Sequence, residues 1–305
     1  MMQDLISVVI PTRNRTEMLA RAIESVMAQT YENIEICIVI DGEDDVTAQF
    51  LAGYAASRVD MKVAQTDGIG GSAARNLGVE MAAGKWIAFL DDDDEFLPGK
   101  LEKQVALLGG DADARHLAFT SVETYDPGKP EQRYVLPDVT WNEAQCSVGE
   151  YLFCRKGRKT MGFIQTSTLL IPRKLMLEIP FTNGLKKHQD WDLLVRMEAA
   201  GVVMKQLEQA ETIYHQHVVV SGRVGQHNVW RFSERWMKEI AVSRAARDSF
   251  LLSIVNRGIA TDQSMTKWQR HKEITQRFFQ VKWNGKYVGS YVYMFMMNSV
   301  RAYLK

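Results

Sequence analysis

Short β-branched runs alternate with stretches of helical periodicity through the first third of the chain. Ile6 to Ile10, Ile34 to Ile40, Met61 to Ala64 and Trp86 to Leu90 read as strands. Glu17 to Ala28, Val46 to Ser57, Ser72 to Ala83 and Gly99 to Leu108 carry the helical period between and after them. That βαβαβαβα order predicts an α/β fold with a mostly parallel sheet flanked by helices, whose ligands lie beyond the carboxyl ends of the strands. From His116 to Leu136 the pattern turns to strands broken at Asp126, Pro127, Gly128 and Pro130, where loops are expected. A strand over Thr166 to Ile171 leads to an amphipathic helix over Gln189 to Ala200, and Glu211 to Val220 reads as extended. The segments Trp230 to Val255, Met265 to Val281 and Tyr287 to Tyr303 are helical in pattern. The expected division is an α/β domain over 1–224 and a helical C-terminal extension over 225–305.

Bulk composition excludes more than it identifies. With 305 residues, 46% of them hydrophobic, the chain can bury a large core. Lys plus Arg and Asp plus Glu balance at 37 each, so no charge excess points to nucleic acid, and none is expected as a partner. Cys37, Cys146 and Cys154 are odd in number and lack C-x-x-C spacing, which argues against a disulfide framework and a structural zinc site and fits a reducing cytoplasm. The opening MMQDLISVVIP has no long apolar stretch, and no segment offers about 18 continuous apolar residues, so neither secretion nor a membrane span is expected.

Candidate chemistry concentrates at the strand ends. WIAFLDDDDEFLP places Asp91, Asp92, Asp93, Asp94 and Glu95 directly after a buried strand, and adjacent carboxylates repel. A hard divalent cation with oxygen ligands offsets that cost, and alternation in an extended segment gives Asp91 and Asp93 to one cation while Asp92 faces elsewhere. The competing reading is an exposed acidic turn capping the next helix. The first strand ends in SVVIPTRNR, where Pro11 should stop the ladder and Thr12, Arg13 and Asn14 offer polar groups, with Asn14 or Thr16 capping the following helix. The second strand ends at Asp41 and Gly42, a carboxylate able to accept from a base N–H or a ribose hydroxyl. GIGGSAARNLG carries Gly68, Gly70 and Ala73 in the spacing of a dinucleotide fingerprint. It follows the third strand instead of the first, however, and its acidic partner would be a cluster of aspartates. Arg75, early in the helix that follows, can meet a pyrophosphate.

Taken together, SVVIPTRNR, the Asp41 turn, SAARNLGVEMAAGKWIAFLDDDDEFLP and HQDWDLLVR resemble the family 2 glycosyltransferases of the GT-A fold, of the bacterial polysaccharide-biosynthesis type, over roughly Leu5 to His217. The resemblance implies transfer of a sugar from a nucleoside-diphosphate donor to a hydroxyl of a saccharide or lipid-linked saccharide. It implies nucleotide-sugar contacts from Pro11, Thr12, Asn14, Asp41, Arg75, Asp91 and Asp92. It also implies Mn²⁺ or Mg²⁺ on Asp91 and Asp93, with His217 as a further ligand in some relatives. The family's Glu-Asp pair corresponds to Gln189 and Asp190. The first acid is absent here, and the retained Asp190 is the expected general base of an inverting reaction, with Asp192 as rival. From the local pattern alone, Asp190 equally suits a helix-terminal carboxylate, and a lone histidine such as His217 is more often structural.

Two other classes of function compete: an NAD-dependent oxidoreductase using Gly68 to Ala73, and a non-catalytic glycan- or nucleotide-binding protein. A sugar nucleotidyltransferase would want glycines after the first strand, and PTRNR has none. The final stretch, KWNGKYVGSYVYMFMMNSVRAYLK, mixes aromatic and methionine residues with Lys282, Lys286, Arg301 and Lys305. It suits packing within the protein or in a homodimer, or peripheral contact with the inner face of the cell membrane.

Overall fold

The computed structural model describes residues 3–54, 60–126, 128–155, 161–216, 229–283 and 285–304. Among these residues the chain forms two compact units, each assembled from separated stretches. The first comprises Met1–Leu136, Ile164–Leu185 and Arg196–Val218, and the second comprises Pro137–Phe163, Lys186–Val195 and Val219–Lys305. Two internal segments, Pro137–Phe163 and Lys186–Val195, thus join the C-terminal helices in the second unit. A reading along the chain places one cut near residue 224 and does not anticipate this interleaving.

The first unit is a mixed, mostly parallel sheet flanked by helices. In chain order its elements are β1 (Ile6–Thr12), α1 (Thr16–Met27), β2 (Ile34–Asp41), α2 (Asp45–Gly53), β3 (Asp60–Thr66), α3 (Gly71–Met81), β4 (Trp86–Phe89), β5 (Glu95–Phe96) and α4 (Lys100–Leu107). β6 (His116–Asp126), β7 (Lys129–Leu136), β8 (Leu169–Pro172), α6 (Arg173–Glu178) and β9 (Val203–Tyr214) follow, α5 belonging to the second unit. The strand order is β3-β2-β1-β4-β8-β6-β9-β5, with β7 paired to β6. β1 to β4 are mutually parallel, and β8 enters antiparallel between β4 and β6.

Burial explains why the first strands are legible. β2 is buried along its whole length and β1 nearly so, as strands covered on both faces must be. β3, at the sheet edge, alternates exposed and half-buried positions. On one face Leu19, Ile23 and Val26 of α1 and Leu101 of α4 close over Ile6, Val8, Ile36, Ile38 and Ala88. On the other face α3 approaches so closely that a Cβ on Gly78 would stand 2.3 Å from a Val9 methyl. Pro11 does not end β1. Pairing with β2 runs through Pro11 and Thr12 opposite Val39 and Ile40, while pairing with β4 stops at Val9 opposite Phe89. Pro removes one donor, which a strand tolerates where one of its two ladders ends.

A buried acid ties the amino ends of these strands together. Glu35 accepts from Ser7 Oγ at 2.5 Å, the Ala83 amide at 2.6 Å and Lys62 Nζ at 2.7 Å. Burial pushes its carboxyl up, but these donors outweigh that and hold it below its ordinary value.

In the second unit, α5 (Val148–Phe153), α8 (Trp230–Glu239), α9 (Arg244–Phe250), a π-helical turn (Leu251–Val255), α10 (Asn256–Ala260), α11 (Lys267–Gln280) and α12 (Val288–Leu304) gather around Cys154, Leu252, Val281, Tyr287, Tyr291 and Met294. The single helix expected over Trp230 to Val255 breaks at Ile240. There the chain turns extended, and Ser243 caps α9 by accepting from the Ala246 amide. The three cysteines are buried and free. Among the described residues no helix is long and apolar enough to cross a membrane.

Candidate active site

The acidic run sits where β4 leaves the sheet, and its carboxylates divide into two groups. Asp91, Asp93 and Asp94 each bring an oxygen within 4.8 Å of one another. Asp94 is fully buried, accepts from Ser167 Oγ at 2.8 Å and Gln165 Nε2 at 2.5 Å, and meets the His215 amide at 3.3 Å. Burial first, then the charges of Asp91 and Asp93, push its carboxyl well above the usual range. Asp92 turns away, as alternation predicts. It accepts from Thr12 Oγ1 at 2.8 Å and pairs with Arg15 at 2.9 Å. Burial lifts Asp92 to about 6 against the pull of Arg15.

Arginines from two helices neutralise the run. Arg75 of α3 pairs with Asp91 and lies over the Phe181 ring at 5.6 Å. Arg15, the residue before α1, reaches Asp93 at 3.4 Å as well as Asp92, and Arg21 of α1 pairs with Glu95 at 3.1 Å. Clustered oxygen donors that already need neutralising suit a hard divalent cation, and Asp91, Asp93 and Asp94 are the residues that would hold one. Asp94 completes this set beyond the Asp91 and Asp93 read from the sequence.

The neighbouring strand ends are structured by one another. Asp41 Oδ1 accepts from Thr66 Oγ1 at 3.0 Å and the Ile69 amide at 2.7 Å, and Oδ2 accepts from the Gly70 amide at 3.0 Å. Gly68 and Gly70 both hold positive φ, at 87° and 88°, which accounts for glycine there. The Ile69 and Gly70 amides of this glycine loop are thus occupied by a carboxylate of the chain itself. Asn14 is exposed with φ of 53°, and its backbone amide donates to Asp44 at 2.8 Å. Neither Asn14 nor Thr16 caps α1, whose N-cap is Arg15 with no side-chain hydrogen bond, while Thr16 Oγ1 meets Thr47 Oγ1 at 2.9 Å. The cap in this region belongs to Asp44 on α2.

Thr12, Arg75, Asp91, Asp92 and Asp93 therefore form one connected cluster, with Pro11 and Asp41 on the adjoining strand ends. His217 lies outside the described residues. His215 is engaged on both ring nitrogens, by Glu95 at 2.6 Å and the Tyr125 hydroxyl at 2.8 Å.

Asp190 belongs to the second unit, in the first turn of α7 (Gln189–Ala199), where it is half-buried and accepts from the Trp191 amide at 2.9 Å. Leu193, Leu194 and Met197 of this helix are buried, as its periodicity predicts. Asp192 Oδ1 accepts from Trp236 Nε1 at 3.1 Å, and its amide donates to the His188 carbonyl at 2.8 Å. His188 holds φ of 67° and is stacked by Trp191 at 4.8 Å and Trp236 at 4.7 Å, with Nε2 2.8 Å from Ser233 Oγ. Burial, reinforced by Lys187, drives its pKa down to about 3.

This burial of neutral His188 gives a pH dependence with a definite sign. Below about pH 6.5 the unfolded chain protonates this imidazole while the folded chain refuses the proton, so stability falls as pH drops. At about pH 4.5 the loss is on the order of 2 to 3 kcal/mol. Urea unfolding of wild type and His188→Phe at about pH 7 and 4.5 measures it. The drop should be clearly smaller in the variant, and equal drops would remove His188 as the cause.

A family model described as "Glycosyl transferase family 2" matches residues 7–163, half of the chain and the whole acidic run. The chain belongs to this family. The family 2 chain is 33% identical over 218 residues to the amylovoran biosynthesis glycosyltransferase AmsB of Erwinia amylovora, covering 68% of this chain and 69% of AmsB. It is 28% identical over 190 residues to glycosyltransferase GlyG of Streptococcus pneumoniae, spanning 62% of that protein's length. Among solved structures, S. aureus TarS 1-349 in complex with UDP-GlcNAc aligns over 99% of this chain and 89% of its own, with a TM-score of 0.60 at 15% identity. The mannosyltransferase PcManGT of Pyrobaculum calidifontis, in complex with GDP-Man and Mn²⁺, aligns over 98% of this chain and 88% of its own, with a TM-score of 0.59 at 11% identity. At these identities the likeness is one of fold, and the fold of this family 2 glycosyltransferase is GT-A.

The sequence reading of the site missed Arg15, Gln165 and Ser167. Arg15 stands in the quoted SVVIPTRNR. Gln165 and Ser167 reach the aspartates only because β8 inserts beside β4, which no local pattern announces.

Proposed function

We propose that this glycosyltransferase is metal-dependent and inverting, and uses a nucleoside-diphosphate sugar. The observation that carries this reading is the cluster of Asp91, Asp93 and Asp94, flanked by Arg15 and Arg75, at the exit of β4 in a family 2 chain. Bound there, Mn²⁺ or Mg²⁺ supplies positive charge against the departing diphosphate. Thr12, Asn14, Asp41 and Asp92 hold the nucleoside side of the donor. Arg75, already beside Asp91, turns its guanidinium to a phosphate. Asp190 takes the proton of the acceptor hydroxyl, whose oxygen bonds the anomeric carbon while the bond to the diphosphate oxygen breaks and that oxygen leaves with the electron pair. The single displacement inverts the anomeric centre. Asp190 suits this role better than Asp192, whose carboxylate is buried against Trp236.

The amylovoran role named for AmsB suggests a saccharide or lipid-linked saccharide acceptor in polysaccharide assembly. Val292, Met296, Val300 and Leu304 form an exposed apolar stripe on α12, and the sequence from Trp283 onward contains no acidic residue. Such a face suits peripheral contact with anionic lipid at the inner side of the membrane.

A thermal-shift panel of UDP-, GDP-, dTDP- and CMP-sugars with Mn²⁺ tests the donor reading. One nucleoside-diphosphate sugar should raise the melting temperature by several degrees, and chelation should abolish the rise. Stabilisation by NAD(H) and by no sugar nucleotide would overturn it. The oxidoreductase alternative finds no support in a glycine loop where Asp41 takes the Ile69 and Gly70 amides.

A further inference from the structure

Gln165 touches two of the three aspartates beyond β4, and its amide has one orientation. Because β8 runs antiparallel to β4, the 3₁₀ turn that opens it, Thr166–Thr168, stands at the carboxyl end of β4. Gln165 immediately precedes this turn. Its Oε1 accepts from the Ser167 amide at 3.2 Å, so Nε2 faces the other way, donating to Asp94 Oδ2 at 2.5 Å and reaching Asp91 Oδ2 at 3.3 Å. The flipped amide would set an oxygen against two carboxylates and a nitrogen against an N–H. Beside it the buried Ser167 Oγ donates to Asp94 Oδ2 at 2.8 Å and accepts from the Asp91 amide at 2.9 Å. The turn itself is pinned, since the Gln165 carbonyl accepts from Thr168 Oγ1 at 2.6 Å and from the Thr168 amide at 2.9 Å.

These donors differ in kind from Arg15 and Arg75. An arginine satisfies a carboxylate with a charge of its own and so opposes a cation at the same oxygens, whereas a neutral N–H or O–H aims the carboxylate without opposing one. Neutral partners behind ligating carboxylates govern metal affinity by about 10- to 100-fold. Rigidity also bears on which ion fits. Small cations such as Mg²⁺ ask for a near-regular set of oxygens, while the larger Ca²⁺ accepts an irregular set and more ligands. One side chain, Gln165, holds both Asp91 and Asp94 and thereby sets the spacing between them.

We propose that Gln165 is a positioning residue that holds Asp91 and Asp94 at the spacing of a small divalent cation, and so makes the site select Mn²⁺ over Ca²⁺. This rests on the metal-dependent reading and adds the residue that sets the choice of ion. Titration calorimetry of the whole chain with MnCl₂ and with CaCl₂ tests it without donor or turnover. Wild type should bind Mn²⁺ the more tightly. Gln165→Met, similar in length but without the donor, should weaken Mn²⁺ roughly tenfold and Ca²⁺ by no more than about twofold. Gln165→Glu keeps an acceptor for the Ser167 amide and turns an oxygen to the aspartates, so it should narrow the gap from the other side by tightening Ca²⁺ more than Mn²⁺. Either variant decides alone should the other fail to fold. Unchanged affinities in Gln165→Met would reduce the residue to packing, and equal changes for both ions would make it a plain ligand or charge; each result overturns the proposal. If wild type binds neither ion, the metal reading itself fails. If it binds both equally, that reading stands and this inference alone falls.

Discussion

Asp93→Ala should lower sugar transfer on the order of a thousandfold and remove any Mn²⁺-dependent stabilisation by the donor. The estimate follows from several kcal/mol of charge stabilisation that a cation gives a departing diphosphate, at about 1.4 kcal/mol per factor of ten. Asp93 is one of three carboxylates whose oxygens lie within 4.8 Å of one another. Two carboxylates cannot hold a cation against the nearby Arg15 and Arg75 as three can. Folding should survive, because removing one of several crowded like charges relieves repulsion. Donor-dependent thermal shifts with and without Mn²⁺, alongside turnover, make the measurement. A variant that keeps both wild-type turnover and a metal-dependent shift would take Asp93 out of the metal site.

The second large effect falls on Asp190. Asp190→Asn should reduce turnover by about 10²- to 10⁴-fold, the range associated with a positioned general base, while the affinity for the donor stays within about twofold. Asn keeps the acceptor oxygen that the Trp191 amide uses, so α7 should start as before. Asp192→Asn is the control. Asp192 is buried against Trp236 and should reveal itself mainly in stability. Unchanged turnover in Asp190→Asn, or a larger specific loss in Asp192→Asn, would reassign the base.

What the sequence made legible follows from how local each signal is. β1, β2 and β4 are buried strands of apolar residues, so composition alone marks them, and the α/β fold follows from their alternation with helices. Asp91 and Asp93 stood out for the same local reason, a charge run abutting an apolar strand. The antiparallel entry of β8 was not legible, since it depends on which strand Leu169 to Pro172 meets and not on what those residues are. The contribution of Gln165 and Ser167 was hidden with it. His188 carried no signal either. Its aromatic cage draws on Trp236 and Phe250, far along the chain, and a lone histidine before a helix is unremarkable by itself.

The pairing of Arg75 with Asp91 has a thermodynamic consequence. Each group neutralises the other, so a cation or a diphosphate binding at this site would have to compete with the pair for its ligand. A ligand that parted the two would free the remaining member for a newcomer of opposite sign. If a cation and a nucleoside diphosphate bind there as proposed, their coupling must be equal in both directions, so the apparent dissociation constant for Mn²⁺ should drop with rising nucleotide by the same factor that nucleotide gains from Mn²⁺.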